Sequence, residues 1–353
     1  MTTVTQEWTI GMDLGDKRNQ ICVLNREGEI TTECSVGNTE AELRSFFKDH
    51  PKALIIIEAG THSPWIERLL KNLQHKVIVA NPRKLSAIWM NKLKTDKRDA
   101  RMLARMGRFD TNLLYPIKHR GLKSQVALCS IRARDIMVRA RLKLILHVRS
   151  SVKGFGYRIG KCSTESFHKK AVEDIPDFMY PVLRPLIGSI ALMNQEIKEY
   201  DKQIEQLCDE HFPETKKIGA IAGVGSLTAL AFILTIDDPK RFIKSRDIAS
   251  YLGLVPGKDQ SGSSDKPMPI TKSGNSYVRR LLVGSANYIM GPFGPDCDLR
   301  RFGEKLGSSP IAKKKAKVAV ARKLAVLMHR LWVHDETYDP FFNHAKKAEK
   351  KSA

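Results

Sequence analysis

The sequence predicts a mixed α/β domain followed by a mainly helical remainder. Short apolar segments alternate with helical periodicity between residues 8 and 80, whereas the pattern is helical almost throughout from about 122 to 210. The chain has 353 residues, which is enough for two or three domains. We therefore predict a mixed α/β domain over 1–115, a linker of basic helices over 116–212, a C-terminal domain over 213–340 and a Lys-rich tail over 341–353.

The first domain begins with three predicted strands, over 8–13, 20–25 and 30–34, with a turn at Gly28. Strands and helices then alternate. The predicted order is a helix over 39–49, a strand over 53–57, a helix over 64–74, a strand over 76–80 and a helix starting near Pro82. An antiparallel meander followed by this alternation predicts a mixed sheet covered by helices.

The linker is strongly basic. Residues 118–149 hold nine Lys or Arg and one acid, Asp135. Glycines and Pro176 predict a break within 151–180, and 181–210 is amphipathic at helical spacing. We interpret this region as an antiparallel helical pair, although an ordinary helical bundle fits the pattern equally well.

A glycine-rich segment over 218–228 predicts a helix-hairpin-helix turn. Gly223 and Gly225 allow a tight turn, and the next helix would present free N–H groups to a phosphate. A plain glycine-rich junction between helices would have the same composition.

The formal net charge of +22 predicts a polyanionic partner, of which nucleic acid is the commonest. An anionic membrane surface is the competitor, but no apolar segment is long enough to span a bilayer and we expect no membrane partner. The N-terminus lacks a signal-peptide pattern.

The six cysteines are scattered without a CxxC pair. This pattern argues against a zinc knuckle and against a disulfide scaffold, and it fits a reducing cytoplasm.

Four acids form the strongest chemical pattern. Asp13 and Glu58 each end a predicted apolar strand, and Asp96 and Asp99 are spaced i, i+3 on one helix face. Each acid alone is better explained as a solvated or capping residue. Together, in a strongly basic chain, they predict a site for Mg²⁺ (or Mn²⁺) of the kind that supports two-metal phosphodiester chemistry.

A serine- and glycine-rich segment follows in the C-terminal domain, over 257–264, with the cations Lys272, Arg279 and Arg280 after it. Composition alone favours a flexible surface loop. The alternative is a serine nucleophile whose phosphate substrate is held by these cations. Because the segment contains no histidine, a metal or a neighbouring basic group would have to activate the serine.

At these positions the chain resembles the DEDD transposases of bacterial insertion sequences, the group described as bridge-RNA-guided recombinases. The resemblance covers roughly 9–110 and 217–300. It is carried by the strand 10–13, the strand end at Glu58, Lys-Thr-Asp-Lys-Arg-Asp-Ala-Arg at 94–101, Ile-Ala-Gly-Val-Gly at 221–225, Tyr-Leu-Gly-Leu-Val-Pro at 251–256, Ile-Thr-Lys-Ser-Gly-Asn at 270–275 and Val-Arg-Arg-Leu-Leu at 278–282.

The family segment usually reads Ser-Ser-Gly-Gly, whereas residues 260–263 here are Gln-Ser-Gly-Ser. Ser261 aligns with the second serine of that motif and is our candidate nucleophile. Ser263 and Ser264 remain alternatives.

The resemblance implies a RuvC-like, RNase H-type N-terminal domain with Asp13, Glu58, Asp96 and Asp99 as its acids, and a C-terminal domain with a catalytic serine. It implies a homo-oligomer, dimer or tetramer, in which the serine of one subunit completes the acidic site of another. It also implies that a structured guide RNA selects the DNA, in the bacterial cytoplasm at the nucleoid.

Our leading hypothesis is DNA strand cleavage and rejoining by such a transposase. Basic helices over 118–149 and 313–323, including Arg132 and Arg139, are candidates for nucleic-acid contacts alongside Lys272, Arg279 and Arg280. The runner-up is a RuvC-like junction resolvase that uses metal-activated water. A nucleic-acid-binding protein without chemistry is a third alternative, and it predicts that all four acids are dispensable.

Overall fold

The computed structural model describes residues 8–85, 95–261 and 264–342. The chain divides into two compact units, one ending at His119 and the other beginning at Arg120. The first is mixed α/β and the second is mostly helical, which confirms the predicted fold class at this level. The Lys-rich tail lies outside the described residues from position 343 onward.

The first unit is built on a five-stranded mixed sheet in the order β3-β2-β1-β4-β5. Strands β1, β2 and β3 pair antiparallel, whereas β4 pairs parallel with β1 and β5 pairs parallel with β4. The strands are β1 Thr9–Asp13, β2 Arg18–Leu24, β3 Ile30–Gly37, β4 Leu54–Glu58 and β5 Lys76–Ala80.

Helices cover both faces of this sheet. They are α1 Glu40–Lys48, α2 Ser63–Asn72 and α3 Asp96–Phe109. Because side chains alternate along a strand, Ile10 and Ile55 pack into the core that includes Leu43 of α1 and Leu70 of α2. On the opposite face, Ile56 packs with Leu103 of α3 and other residues of a second cluster.

Glycine sets how closely α3 approaches the sheet. A Cβ atom added at Gly11 of β1 would lie 2.1 Å from the carbonyl oxygen of Ala100 and 2.4 Å from the amide nitrogen of Ala104. Both are backbone atoms of α3, so no side-chain rearrangement can relieve the overlap. A Cβ atom added at Gly107 of α3 would likewise lie 2.3 Å from Cδ1 of Ile56 in β4. The helix therefore lies directly on β1 and β4.

The second unit contains the predicted antiparallel pair as two 32-residue helices, α4 Leu122–Lys153 and α6 Tyr180–His211, which pack together. The shorter helix α5 Phe167–Asp174 lies between them in sequence. The other helices are α7 Glu214–Gly219, α8 Ser226–Ile236, α9 Asp247–Tyr251, α10 Ser276–Ile289, α11 Asp298–Glu304 and α12 Pro310–His334.

The core of the second unit surrounds α8, in which every residue from Thr228 to Ile236 is buried. The helices α7 and α8 are joined by a turn with Gly223 at φ +81°, as the glycine pattern predicts. Glu205 and Asp209 line the pocket beside Gly225 and Ser226 at the start of α8. Lys216 lines the same pocket and pairs with Asp209 at 3.0 Å, and a phosphate contact at this turn stays a prediction.

One expectation needs correction. The serine-rich segment is not a loop, because β6 Pro256–Ser261 and β7 Ser264–Ile270 pair antiparallel as a hairpin. Its Pro, Gly, Ser and Asp residues are poor strand formers, so the composition obscured the pairing. The segment after Pro82 begins with a turn over 82–84, and the rest of the expected helix, 86–94, lies outside the described residues.

No helix among the described residues is long and apolar enough to cross a membrane. The six cysteines are all free, which agrees with the expectation of no disulfide scaffold.

We predict that Gly11→Ala destabilises the first unit by about 2–4 kcal/mol, because the new methyl group overlaps two backbone atoms of α3. Urea denaturation followed by circular dichroism measures this loss. Gly60→Ala is the matched control, since a Cβ atom there meets nothing within 4 Å. Equal stability of the two variants would contradict the close approach of α3 to β1.

Candidate active site

Asp13 and Glu58 lie side by side at the carboxyl ends of β1 and β4. These parallel strands are in register up to the pair Met12 and Ile57, and the two acids follow that pair directly. Both are half-buried. Because Gly11 faces α3 and side chains alternate, Asp13 belongs to the sheet face that α3 covers.

The first turn of α3 lies at the same end of the sheet. Arg108, near the end of α3, donates a hydrogen bond to the carbonyl oxygen of Arg26 in the turn between β2 and β3, at the opposite end of β1. The helix therefore runs antiparallel to β1, and its N-terminus reaches the edge that carries Asp13 and Glu58. This turn contains Asp96, which is exposed, and Asp99, which is only 7% exposed.

Local sequence explains why α3 begins at this point. Thr95 has an extended backbone, and its hydroxyl oxygen accepts a hydrogen bond from the amide of Arg98. Asp96 and Asp99 occupy the first turn, where carboxylates also interact favourably with the helix dipole. The cap and the acids together fix the start of the helix at the edge.

The fold therefore gathers all four predicted acids at one end of the first unit. Over the parts of the chain that the structure describes, no three His, Cys, Asp or Glu side chains are already arranged to hold a metal ion. The chemistry of the donors still fits Mg²⁺ or Mn²⁺, because carboxylate oxygens are the ligands that these hard cations prefer. Asp13, Glu58 and Asp99 each make other polar or electrostatic contacts in the fold.

An ion-pair cluster anchors the start of α3 to β3. The carboxylate of Glu33 accepts a hydrogen bond from Arg101 Nη2 at 2.6 Å and lies 3.1 Å from Lys97 Nζ. The hydrogen bond from Arg101 lowers the pKa of Glu33 to about 2, so this carboxylate is charged at any physiological pH. The cluster holds the helix turns that carry Asp96 and Asp99.

A second network, which the sequence analysis missed, holds the turn after Glu58. His119 Nδ1 lies 2.5 Å from the carboxylate of Glu67, and its Nε2 lies 3.0 Å from the hydroxyl of Ser63. That hydroxyl accepts a hydrogen bond from the amide of Gly60 at 3.0 Å. Glu67 was detectable as an acid on the apolar face of α2, but no sequence pattern connects it with His119.

Glu67 is buried yet ionised. Burial would raise its pKa, but hydrogen bonds from His119 and Lys71 outweigh burial and lower the pKa overall. Lys71 Nζ lies 2.6 Å from the carboxylate. The turn after Glu58 is therefore held by charged hydrogen bonds, which are stronger than neutral ones.

In the second unit, the candidate serine ends a strand. Ser261 is the last residue of β6 and is paired in register with Ser264 of β7. Ser263 lies outside the described residues.

Among the cations after the hairpin, Lys272 is exposed and has a left-handed backbone at φ +54°. Arg279 donates hydrogen bonds to the carbonyl oxygens of Leu252 at 2.8 Å and Ser273 at 2.7 Å. This arginine therefore binds the chain's own backbone.

The other predicted nucleic-acid contacts meet around Asp135. The Asp135 carboxylate lies 2.8 Å from Arg139 Nη2 and accepts a hydrogen bond from Arg280 of α10. Asp135 and Arg139 line a cavity of about 530 Å³. Arg132 and Asn275, at the start of α10, line it as well. Asp135 therefore orients Arg139 of the basic segment and Arg280 of α10, beside Arg132.

Two family models match this chain, one in each half of the sequence. A family model described as Transposase IS116/IS110/IS902 family matches residues 215–296, which include the serine hairpin. A second transposase model, for the DEDD transposases of the IS110 type, matches residues 10–155, which include all four acids. The chain belongs to the IS110 family of transposases.

Relatives extend the similarity along most of the transposase. A probable family 20 transposase of Pseudomonas aeruginosa is 26% identical over 94% of this chain and 98% of its own length. The transposase for insertion sequence element IS1111A of Coxiella burnetii is 22% identical over 93% of this chain and 90% of its own. A pilin gene-inverting protein of Moraxella bovis is 25% identical over 81% of both chains.

We predict that Asp135→Asn lowers the unfolding free energy of the transposase by about 1–2 kcal/mol, because two guanidinium groups lose their shared carboxylate. Denaturant titration at neutral pH measures the change. The control Glu199→Gln removes an exposed pair with Lys202 and should change stability by about 0.5 kcal/mol or less. A loss no larger than that of the control would show that Asp135 does not organise the arginines.

Proposed function

We propose that this transposase cuts and rejoins DNA strands by metal-dependent phosphoryl transfer, with Asp13, Glu58, Asp96 and Asp99 as ligands of Mg²⁺ (or Mn²⁺) and Ser261 as the nucleophile. The observation that supports this proposal most is the register of β1 and β4. It makes Asp13 and Glu58 neighbours at the sheet edge that the first turn of α3 reaches. A mixed sheet with acids at this edge supports a RuvC-like, RNase H-type assignment.

The protein's contribution at this edge is to hold negatively charged groups close together. Bound divalent cations would activate the attacking oxygen and stabilise the leaving oxygen of the phosphodiester. Because like charges repel, contacts elsewhere in the fold must keep these carboxylates close together. The cluster at Glu33 supports the start of α3, and the network of Ser63, Glu67 and His119 supports the turn after Glu58.

Ser261 would serve as the nucleophile. Its hydroxyl oxygen forms a bond to phosphorus and loses its proton, while one P–O bond of the DNA backbone breaks and the leaving oxygen takes up a proton. A hydroxyl of the second DNA strand then attacks the phosphoserine and releases the serine. The phosphoester bond energy is conserved in the covalent link, so rejoining needs no nucleotide cofactor.

We further propose that the transposase works as a homo-oligomer, dimer or tetramer, with a structured guide RNA. The net charge of +22, which remains after the 38 acids are balanced against the 60 Lys and Arg, supports the guide RNA, because it suits a second polyanion beside DNA. The cations around Asp135 are candidate contacts for either polymer.

We predict that Mg²⁺ raises the thermal midpoint of the wild-type protein by about 5–10 °C at a concentration roughly a hundredfold above its dissociation constant. Asp13→Asn and Asp99→Asn should lose this shift together with strand transfer. The shift is measured by differential scanning fluorimetry at constant ionic strength.

The matched control is Glu27→Gln, which removes an exposed carboxylate from the turn between β2 and β3 at the opposite end of the sheet. It should keep the full Mg²⁺ shift. An equal shift in Asp13→Asn would place the cation elsewhere and contradict the proposed ligands.

We predict that Ser261→Ala abolishes strand rejoining and the covalent protein–DNA adduct, because the nucleophilic oxygen is gone. The adduct is trapped with a nicked suicide substrate in the presence of guide RNA and located by mass spectrometry. Ser263→Ala and Ser264→Ala are the controls, and both should still form it.

Cleavage without an adduct in the wild-type protein, unaffected by Ser261→Ala, would instead indicate a RuvC-like resolvase that uses water. An adduct located at Ser263 or Ser264 would retain the serine mechanism but contradict the assignment to Ser261.

A further inference from the structure

Three exposed aromatic rings cluster where the long helical pair turns. Phe155 is 61% exposed, Tyr157 46% and Phe178 60%. The ring of Phe178 lies 5.8 Å from that of Phe155 and 6.1 Å from that of Tyr157, both edge to face. We call these three residues the aromatic tip.

The backbone beneath the aromatic tip is well ordered by its own hydrogen bonds. Tyr157 donates its amide to the carbonyl oxygen of Val152 at 3.1 Å, and Gly156 donates to Lys153 at 3.0 Å. With Gly156 at φ +86°, this is the Schellman pattern that ends a helix. The positive φ favours glycine, and aromatic residues lie on both sides of it.

The rings are not needed to complete the core. A separate apolar cluster below them already contains Val152, Phe167 and Met179, all of which are buried. Large exposed apolar groups that lie together on a soluble protein indicate a binding surface. The aromatic tip is therefore available to a partner.

The charge around the rings identifies the kind of partner. Residues 149–161 contain four cations and no acid. Lys153, Arg158 and Lys161 are exposed, and none of them forms an ion pair with any residue that the structure describes. Arg149 instead holds the turn, through hydrogen bonds to the carbonyl oxygens of Ile159 and Gly160.

The nearby acids belong to the segment that leads into α6. Glu173 and Asp174 are both paired with Lys170, and Asp177 precedes Phe178. Asp174 also accepts a hydrogen bond from the amide of Gly160 at 2.8 Å. A second copy of this chain would bring its own cations against Lys153, Arg158 and Lys161, which is unfavourable. A polyanion that also carries flat apolar groups would pair with the exposed cations and stack on the aromatic rings.

We infer that the aromatic tip binds unpaired bases of DNA by stacking, while Lys153, Arg158 and Lys161 contact the phosphates beside them. Stacking on aromatic side chains suits unpaired bases of any sequence, because each base has a π face. A depression of about 490 Å³ beside Tyr157, lined in part by Lys153 and Arg158, would accept the backbone. This inference goes beyond the proposed catalysis and does not depend on the four acids or on Ser261.

The test compares the full-length wild-type protein with Phe178→Ala for binding to a 20-nucleotide single strand of thymidines and to an abasic strand of the same length. The wild-type protein should prefer the strand with bases. Phe178→Ala should bind that strand about tenfold more weakly, bind the abasic strand unchanged and keep the wild-type dependence on salt.

Arg158→Ala should behave in the opposite way. It should weaken binding to both strands alike and reduce the slope of log K against log salt by about 0.7, the value for one single-strand phosphate contact. Phe293→Ala is the matched control, because this phenylalanine is 86% exposed at a distant position in the sequence and forms no aromatic pair within the described residues. It should leave the preference for bases unchanged.

Phe178→Leu keeps the apolar volume but not the ring, so it distinguishes lost stacking from a disturbed fold. It should lose the preference as Phe178→Ala does, whereas Phe178→Trp should retain it. Retention of the wild-type preference by both Phe178→Ala and Phe178→Leu would overturn the inference.

Two further results would also overturn it. One is a change of oligomeric state in Phe178→Ala by analytical ultracentrifugation, which would make the aromatic tip a subunit contact. The other is an effect on a uridine RNA strand with none on DNA. Strand transfer by the Asp13→Asn variant has no bearing on this test, so the two proposals can fail separately.

Discussion

The contact between Gly11 and the backbone of α3 is the constraint on which the first unit depends. Only a residue without a side chain lets Ala100 and Ala104 approach β1 so closely. That approach fixes the depth and direction of α3, and the direction brings its acidic first turn to the carboxyl edge of the sheet. The strand register independently makes Asp13 and Glu58 neighbours there. Packing therefore accounts for the position of the acids before any chemistry is considered.

Charge is organised in opposite ways in the two units. In the first, cations and buried hydrogen bonds support an edge rich in carboxylates, through Glu33 on one side and Glu67 with His119 on the other. In the second, one carboxylate, Asp135, orients Arg139 of its own basic helix and Arg280 of α10. In both units these pairs are partly buried, and such pairs are less screened by salt than surface pairs are.

The sequence predicted the sheet, its edge acids and the long helical pair, because these follow from local periodicity and from where an apolar segment ends. It could not predict the network of Ser63, Glu67 and His119, since His119 is 52 positions from Glu67 and only the fold joins them. The hairpin that carries Ser261 was missed for a different reason. Its residues have low strand propensity, and the pairing depends on the second strand rather than on local preference.

The most direct test of the metal site is anomalous diffraction from crystals of the wild-type protein grown with Mn²⁺. We expect the anomalous peaks to lie about 2.0–2.4 Å from carboxylate oxygens of Asp13 and Glu58, with Asp96 or Asp99 completing the contacts. Peaks at other carboxylates, with none at this edge at saturating Mn²⁺, would contradict the account. A matching crystal of Glu58→Gln should lose the peaks, because an amide in place of one carboxylate weakens the hold on a divalent cation.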